Sequence, residues 1–228
     1  MNESKVAIVA ALPREIIGLV RGTRPDPTLR KRGVHLYRTD GAVIVAAGMG
    51  AKRVTHALEA ALQEQGIGLV ISTGLAGACS PEIAAGEVIE ATIVIDTKTG
   101  ERFPCVTSGL ERVLVTSEAV AGVREKARLH KSYNAMLVDM EAATVARLAL
   151  AQGLSFRAIK GISDAHDFEM ESISQFADAD GHFRTGAFAF HTALRPRNWN
   201  SAMRLGRDSN RALTKLWLEL RSLIEKPK

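Results

Sequence analysis

The chain has 228 residues, 46% of them hydrophobic and 24% charged, a balance that excludes a disordered or fibrous protein. Its length fits one domain, and no linker or fixed-period repeat divides it, so we predict a single domain over residues 1–228. The net charge of +5 arises in residues 195–228, which hold nine basic and three acidic residues and so carry +6, leaving −1 for residues 1–194. Since no basic–aromatic interleaving accompanies this charge, we expect no nucleic-acid partner.

The polar start of the chain and its hydropathy pattern indicate the cellular compartment. Residues 1–5 lack the charged start, apolar middle and cleavage site of a signal peptide, and no run reaches 18 uncharged apolar residues. We therefore expect a cytoplasmic protein. Cys79 and Cys105 are expected to be small buried residues rather than disulfide partners. Because the six histidines show no metal-ligand spacing, we predict neither a metal nor a cofactor.

Short apolar runs alternate with helical patterns along the chain. Strands are predicted at residues 6–12, 34–37, 42–47, 69–73, 88–95, 113–115, 136–138 and 156–162. Helices are predicted from Pro13, at 51–65, 141–151 and 186–194, and as a basic carboxyl-terminal helix at about 198–224. Asp40-Gly41 is a hairpin signal between two of the strands. The pattern predicts an α/β fold with a mixed, twisted central sheet flanked by helices.

Ligands of such sheets bind beyond the carboxyl ends of the strands. Five predicted strand ends carry glycine or acidic residues, at 12–15, 48–50, 74–77, 139–141 and 163–164. Gly50 and Gly74 would let the backbone approach a ligand closely, although both segments also fit ordinary tight turns. No phosphate loop, full dinucleotide fingerprint or Gly-x-Ser-x-Gly elbow is present, which excludes those classes of site.

Three acidic residues at these strand ends each have a structural and a chemical interpretation. Glu141 is either an acid that stabilises a helix start or a carboxylate that accepts hydrogen bonds from sugar hydroxyls. Asp164 either caps a turn or acts as a general acid that protonates a leaving base. Glu15 is either a first-turn acid or the base that activates an attacking water. The residues alone leave these alternatives open.

Four motifs carry a family resemblance: Ser-Thr-Gly-Leu-Ala-Gly at 72–77, Gly-Glu-Val at 86–88, Val-Asp-Met-Glu-Ala at 138–142 and Ile-Ser-Asp at 162–164. Over about residues 6–176 the chain resembles the purine nucleoside phosphorylase and nucleosidase family, which includes methylthioadenosine/S-adenosylhomocysteine nucleosidases. The resemblance implies an enzyme that cuts the bond between a purine and its sugar. It assigns protonation of the base to Asp164, binding of the ribose hydroxyls to Glu141 and activation of water to Glu15. Further substrate contacts are then expected from Met140, Ala119 and Val120, beside the close-approach glycines Gly50 and Gly74.

The motifs leave the nucleophile open. Phosphorylases of this family bind phosphate through an Arg and a Ser where this chain has Ser72 and Leu75. Phosphate as a co-substrate would therefore need other cations, with Arg14 and Arg53 as candidates, and helix amino termini. Water would instead need Glu15 as its base. Leu75 also replaces a serine common in the nucleosidases, so neither branch of the family fits cleanly.

The end of the chain resembles a narrower group, the bacterial hopanoid-associated phosphorylases. The resemblance rests on Asp180-Gly181, Arg195-Pro196 and Trp199, and it implies removal of adenine from adenosylhopane, a lipid-linked nucleoside. An apolar stripe along the helix predicted at 198–224 is more typical of a packing face than of a membrane face. A neighbouring basic face fits contact with anionic lipid, and it consists of Arg204, Arg207, Arg211 and Lys215.

We therefore expect cleavage of the N-glycosidic bond in an adenine nucleoside with a 5′ substituent. The partner is this small molecule, and the family resemblance implies a homo-oligomer. The alternative is a non-catalytic nucleoside-binding or lipid-surface protein on the same fold. The presence of all three acids argues against that alternative, because binding alone would not need them together.

Overall fold

The computed structural model describes residues 4–169 and 199–225. The strands in this part of the chain are β1 (Lys5–Ala10), β2 (His35–Arg38), β3 (Ala42–Ala46), β4 (Ile67–Ser72), β5 (Leu75–Ala78), β6 (Val88–Ala91), β7 (Ile93–Asp96), β8 (Arg102–Pro104), β9 (Val113–Thr116), β10 (Ala135–Asp139) and β11 (Ser155–Asp164). The helices are α1 (Pro13–Ile16), α2 (Pro27–Lys31), α3 (Ala51–Leu62), α4 (Val123–Tyr133), α5 (Ala142–Ala151) and α6 (Trp199–Ile224).

All these strands join one mixed sheet, in the order β2-β3-β1-β4-β11-β5-β10-β9-β7-β8, with β6 pairing separately on β11. The long strand β11 is central because it pairs with three neighbours. Its first half runs parallel to β4 and its last residues run parallel to β5, while β6 is antiparallel to its middle. The strands β1, β4 and β11 therefore end at the same edge of the sheet, together with residues 12–15 and 164.

Helices cover both faces of the sheet, which explains why the central strands are almost continuously apolar. In β1, Ala7 and Val9 pack in a cluster that includes residues of α3 and α5, whereas Ile8 and Ala10 pack in a second cluster with residues of α1 and α6. The contribution of α6 to the second cluster comes from Leu213, Leu216 and Leu220. The apolar stripe of this helix is thus a packing face.

The predicted fold class is confirmed, but two local assignments were wrong. Residues 74–77 are expected from the sequence to form a turn after a strand, whereas Leu75–Ala78 forms β5, hydrogen-bonded to β10 on one side and β11 on the other. Residues 88–95, predicted as one strand, are the two strands β6 and β7, which pair with β11 and β9. Both errors arise because pairing with distant strands decides where a strand begins and ends.

Two predictions lie outside the described residues, namely the helix at 186–194 and the motifs at 180–181 and 195–196. Within the described ranges, no helix is both long enough and apolar enough to cross a membrane. The basic side chains at positions 204, 207, 211 and 215 of α6 are exposed.

Candidate active site

A cavity of about 350 Å³ lies at the edge of the sheet where β1, β10 and β11 end. This volume falls within the usual range for a small-molecule site. The three acids Glu15, Glu141 and Asp164 all line it. The described residues of α6 that form its opposite wall are Ala202, Leu205, Gly206, Ser209, Asn210 and Leu213. The fold thus brings Glu15 together with Glu141 and Asp164, which both lie more than a hundred positions later in the sequence.

Glu15 is held by backbone N–H groups from two segments. Its Oε2 accepts a hydrogen bond from the N–H of Leu12 at 2.8 Å, and its Oε1 accepts one from the N–H of Leu75 at 3.0 Å. The carboxylate also packs against Gly74, whose φ is +112° and where a Cβ would lie 2.9 Å from the Glu15 Cδ. Position 74 therefore requires glycine. The bond to Leu12 is the expected first-turn contact, and the bond to Leu75 fixes the carboxylate against the cavity wall.

Helix α6 fixes the backbone that carries Glu15. The Trp217 indole Nε1 donates to the carbonyl oxygen of Glu15 at 2.6 Å, and Arg221 Nη2 donates to the carbonyl of Gly18 at 2.5 Å. The indole lies where a side chain on Gly18 would be, since a Cβ built there is 2.1 Å from the ring. The carboxyl-terminal helix therefore both lines the cavity and positions α1.

Glu141 is the residue that precedes α5, but its side chain makes no capping bond to that helix. Instead its Oε1 accepts a hydrogen bond from the N–H of Gly50 at 2.7 Å, across the cavity edge. Burial raises the pKa of Glu141 from its usual 4.5 to about 7, and repulsion from Asp139 adds to the shift, against the opposing effect of Lys160. Helix α5 is capped by Asp139, whose Oδ2 accepts from the Ala142 N–H at 3.0 Å. The Glu141 carboxylate is thus available to a ligand.

The raised pKa of Glu141 makes a prediction about stability. Because the folded protein binds this proton more tightly than the unfolded chain, the free energy of unfolding should fall as the pH rises from about 4.5 to about 7. The fall attributable to this group is on the order of 3 kcal/mol. Urea unfolding at pH 5 and pH 8 should show this fall in the free energy of unfolding for the wild type and not for Glu141→Gln. The surface control Glu59→Gln should behave like the wild type, and parallel pH dependences of wild type and Glu141→Gln would contradict the assignment.

A buried ion pair lies beneath Glu141. Lys160 Nζ lies 2.9 Å from Asp139 Oδ2 and donates to Ser72 Oγ and to the Thr73 carbonyl, each at 3.0 Å. The other carboxylate oxygen, Asp139 Oδ1, accepts from the Thr116 hydroxyl at 2.7 Å. This network joins β4, β9, β10 and β11 directly below the start of α5. Its physical consequence is a fixed backbone position for Glu141.

Asp164, the last residue of β11, makes no helix cap and lies in a second buried ion pair. Its Oδ2 accepts a hydrogen bond from Lys126 Nζ, and its Oδ1 accepts one from the Ser163 hydroxyl. The Lys126 ammonium also donates to the carbonyl oxygens of Ala165 at 2.8 Å and Phe168 at 3.4 Å. Lys126 and Asp164 are 1% and 3% exposed. Both side chains nevertheless line the cavity.

Some of the remaining predicted residues line the cavity and others do not. The predicted residues that line the cavity besides the acids are Arg14, Ala119, Val120 and Met140. Gly50 and Gly74, predicted to approach the ligand closely, are not among the described lining residues; they contact the carboxylates of Glu141 and Glu15 instead. Arg53 is not among the described lining residues, and its Nη1 lies 3.7 Å from a Cβ built on Gly33. Arg53 is therefore a poor candidate for a phosphate ligand.

Sequence reasoning missed the two buried lysines. Lys160 had a detectable signal, because a lone lysine inside the apolar strand Ala158-Ile-Lys-Gly-Ile162 is rarely left without an acidic partner. Lys126 had a weaker signal, since α4 is polar on average and only Leu129 and Lys126 in it are buried. Its pairing with Asp164, 38 positions away, depends on tertiary structure alone.

Part of the chain matches a known family. Residues 112–191, which include Glu141 and Asp164, match the phosphorylase superfamily. No curated protein sequence matches the chain significantly.

The fold is that of solved nucleosidase structures. The 5′-methylthioadenosine nucleosidase of Arabidopsis thaliana is 18% identical with a TM-score of 0.66, over 87% of this chain and 98% of that one. The S-adenosylhomocysteine nucleosidase of Streptococcus pyogenes is 20% identical with a TM-score of 0.63, over 85% and 97%. The futalosine hydrolase of Helicobacter pylori is 16% identical with a TM-score of 0.62, over 84% and 97%. At these identities the likeness concerns the fold.

The chain thus has the fold of solved nucleosidase structures, and part of it matches the phosphorylase superfamily. The region at 112–191 is a phosphorylase-superfamily region, and the resemblance predicted from the motifs is confirmed. The same match supports the prediction of an enzyme.

Proposed function

We propose that the protein cleaves the N-glycosidic bond of a 5′-substituted adenine nucleoside and releases the base. The observation that carries this proposal is that Glu15, Glu141 and Asp164 line one cavity of suitable size. Burying a carboxylate is unfavourable unless other groups compensate its charge. Three such acids around one cavity are therefore more than a binding site for a neutral nucleoside requires.

The chemistry divides naturally among the three acids. Departure of the base leaves negative charge on its ring, so a proton from Asp164 would speed the bond cleavage. The sugar left behind carries positive charge, as in glycoside hydrolysis. The Glu141 carboxylate would accept hydrogen bonds from the ribose hydroxyls, beside the Gly50 N–H that already holds it. Glu15 would orient and deprotonate the attacking nucleophile.

Water is the nucleophile that the site supports better. Glu15 is 4% exposed and its two oxygens are held by backbone N–H groups. Phosphate would need cations at the cavity, and the cationic residues among the described lining are Arg14 and Lys126. Lys126 is engaged by Asp164, which leaves the exposed Arg14 at the rim. Phosphorolysis is thus the alternative, and it rests on Arg14.

The wall formed by α6 bears on the 5′ substituent. Ala202, Leu205 and Leu213 line the cavity with apolar atoms and Gly206 adds no side chain, while the polar residues of this wall, Ser209 and Asn210, are uncharged. Such a wall fits a thioether or a hydrocarbon chain better than a charged group. A lipid-linked nucleoside such as adenosylhopane belongs to this substrate class.

The test is release of adenine from adenosine, 5′-methylthioadenosine and adenosylhopane, with and without phosphate. The proposal expects adenine from at least one 5′-substituted substrate at the same rate in both conditions. Release only with phosphate would select phosphorolysis. Binding of these nucleosides without release of adenine would instead identify a non-catalytic nucleoside-binding protein.

The exposed basic face of α6 supports a further proposal, peripheral contact with an anionic membrane. The Arg204 and Arg207 side chains are 56% and 75% exposed. Each basic residue near an anionic surface contributes about 1 kcal/mol, and salt screens this attraction. In flotation assays the protein should bind phosphatidylserine vesicles at low salt and be released at high salt. The double charge reversal Arg204→Glu with Arg207→Glu should abolish binding, and no binding by the wild type at low salt would refute the proposal.

A further inference from the structure

Lys126 is a buried basic residue that has no role in the mechanism proposed above for the three acids. Its ammonium has three N–H groups, and the structure gives it three oxygen acceptors, on Asp164, Ala165 and Phe168. Every proton of the ammonium is thus directed at an acceptor. Since the side chain lines the cavity and is 1% exposed, it lies at the site and is shielded from bulk water.

The neighbouring strand fixes the contact between Lys126 and Asp164. A Cβ built on Gly77 of β5 would lie 3.0 Å from Asp164 Oδ2 and 3.2 Å from Lys126 Cε. Strand β5 therefore packs directly on the ion pair, and its glycine leaves just enough room for it. On the other side of the carboxylate, the Ser163 hydroxyl is hydrogen-bonded both to Oδ1 and to the carbonyl oxygen of Ala76, the latter at 3.2 Å. The two side chains have little freedom to separate.

This arrangement creates a difficulty for Asp164 as a general acid. Direct contact with an ammonium favours the charged form of a carboxylate, so a proton donor beside Asp164 would assist its action on the base. The Lys126 ammonium, which is hydrogen-bonded to Asp164, is such a donor.

We propose that Lys126 is a positioning residue that holds Asp164 and supplies the proton that Asp164 passes to the departing base. The inference rests on the proposed function. In the first step the Nζ–H bond breaks as a bond from that proton to Asp164 Oδ2 forms. The neutral carboxyl group then protonates a ring nitrogen of the base while the C1′–N bond breaks and its electron pair stays on the base. Lys126, left as a neutral amine, regains a proton from solvent after the product leaves.

The test compares two variants of Lys126 with a control on the same helix. Lys126→Met removes the proton source, so Asp164 must be protonated from solution. Lys126→Arg keeps the charge, but a guanidinium does not release its proton in proteins. Lys131→Met changes an exposed lysine of α4 and should leave the rate unchanged. Rates of adenine release are measured from pH 5 to pH 9 and expressed per folded molecule.

We expect Lys126→Met to be slower than the wild type by about 10²-fold at pH 8, in line with the loss of a proton donor. The deficit should shrink by up to about tenfold for each unit by which the pH is lowered, because solution then protonates Asp164 directly. Lys126→Arg should be impaired by about 10²-fold as well, with a substrate KM close to that of the wild type.

Three results would overturn the inference. The first is a ratio of Lys126→Met to wild-type rates that does not change with pH, which would mark a purely structural role. The second is a Lys126→Arg variant with wild-type turnover, since charge alone would then suffice. If Lys126→Met does not fold, Lys126→Arg decides the matter. The third is wild-type turnover in Lys126→Met at pH 8. A wild-type protein that releases no adenine from any substrate would instead refute the proposed function itself.

Discussion

Replacing Asp164 with asparagine is expected to lower the rate of adenine release by at least about 10²-fold, the usual contribution of a general acid. An amide has nearly the same shape as the carboxyl group but cannot pass a proton from Lys126 to the base. The side chain lines the cavity and lies at the end of β11, so the change is made at the reacting groups themselves. The measurement is the turnover of a 5′-substituted adenosine, followed by adenine release.

Loss of stability must be separated from loss of chemistry in this variant. Asparagine leaves the Lys126 ammonium buried without its counter-charge, and breaking such a pair typically costs about 3–5 kcal/mol. The double variant Asp164→Asn with Lys126→Met removes both charges and should recover much of the stability without recovering the rate. Asp167→Asn, at an exposed position three residues further on, is the matched control. Turnover like that of the wild type in Asp164→Asn would remove Asp164 from the role of acid.

The second large effect is expected at Glu15. In Glu15→Gln, release of adenine by water should fall by at least about 10²-fold, because an amide cannot deprotonate the nucleophile. The substitution also replaces an acceptor by an NH₂ group that faces one of the two N–H donors, from Leu12 or Leu75. A rate measured in phosphate should change far less if phosphate attacks, since phosphate is already a nucleophile.

Comparing adenine release by water with adenine release in phosphate tests whether Glu15 acts as the base. Glu59→Gln, on the exposed side of α3, provides a control for the charge change. Hydrolysis unaffected by Glu15→Gln would show that another group activates water. An equal fall of both rates would show that Glu15 acts by holding Leu12 and Leu75 in place.

The sequence predicted the sheet and the three acids because both depend on short-range patterns. A strand buried on both faces is largely apolar. Residues 6–12 are apolar throughout, and residues 156–162 are apolar or glycine apart from Arg157 and Lys160. The acids stand out because each follows such a run, and parallel strands that end together bring their following residues to one edge. Convergence of Glu15 and Asp164 therefore follows from the order of the strands.

What the sequence could not predict depends on pairing between distant segments. Strand β5 is made of Leu75-Ala-Gly-Ala78, which has little intrinsic preference for a strand and is ordered by its neighbours β10 and β11. The partner of Asp164 is Lys126, in a helix with few buried residues. Closeness in sequence can also mislead: Arg53 is three positions from Gly50, yet it is not among the described residues that line the cavity.

A crystal structure of Asp164→Asn with 5′-methylthioadenosine tests the central claim most directly. We predict a single bound nucleoside, with its purine ring against residue 164, its ribose hydroxyls on the Glu141 carboxylate and its C1′ facing Glu15. Hydrogen-bond distances of about 3 Å are expected at the first two contacts. A nucleoside that reaches no more than one of these side chains, or that binds outside the cavity, would contradict the account.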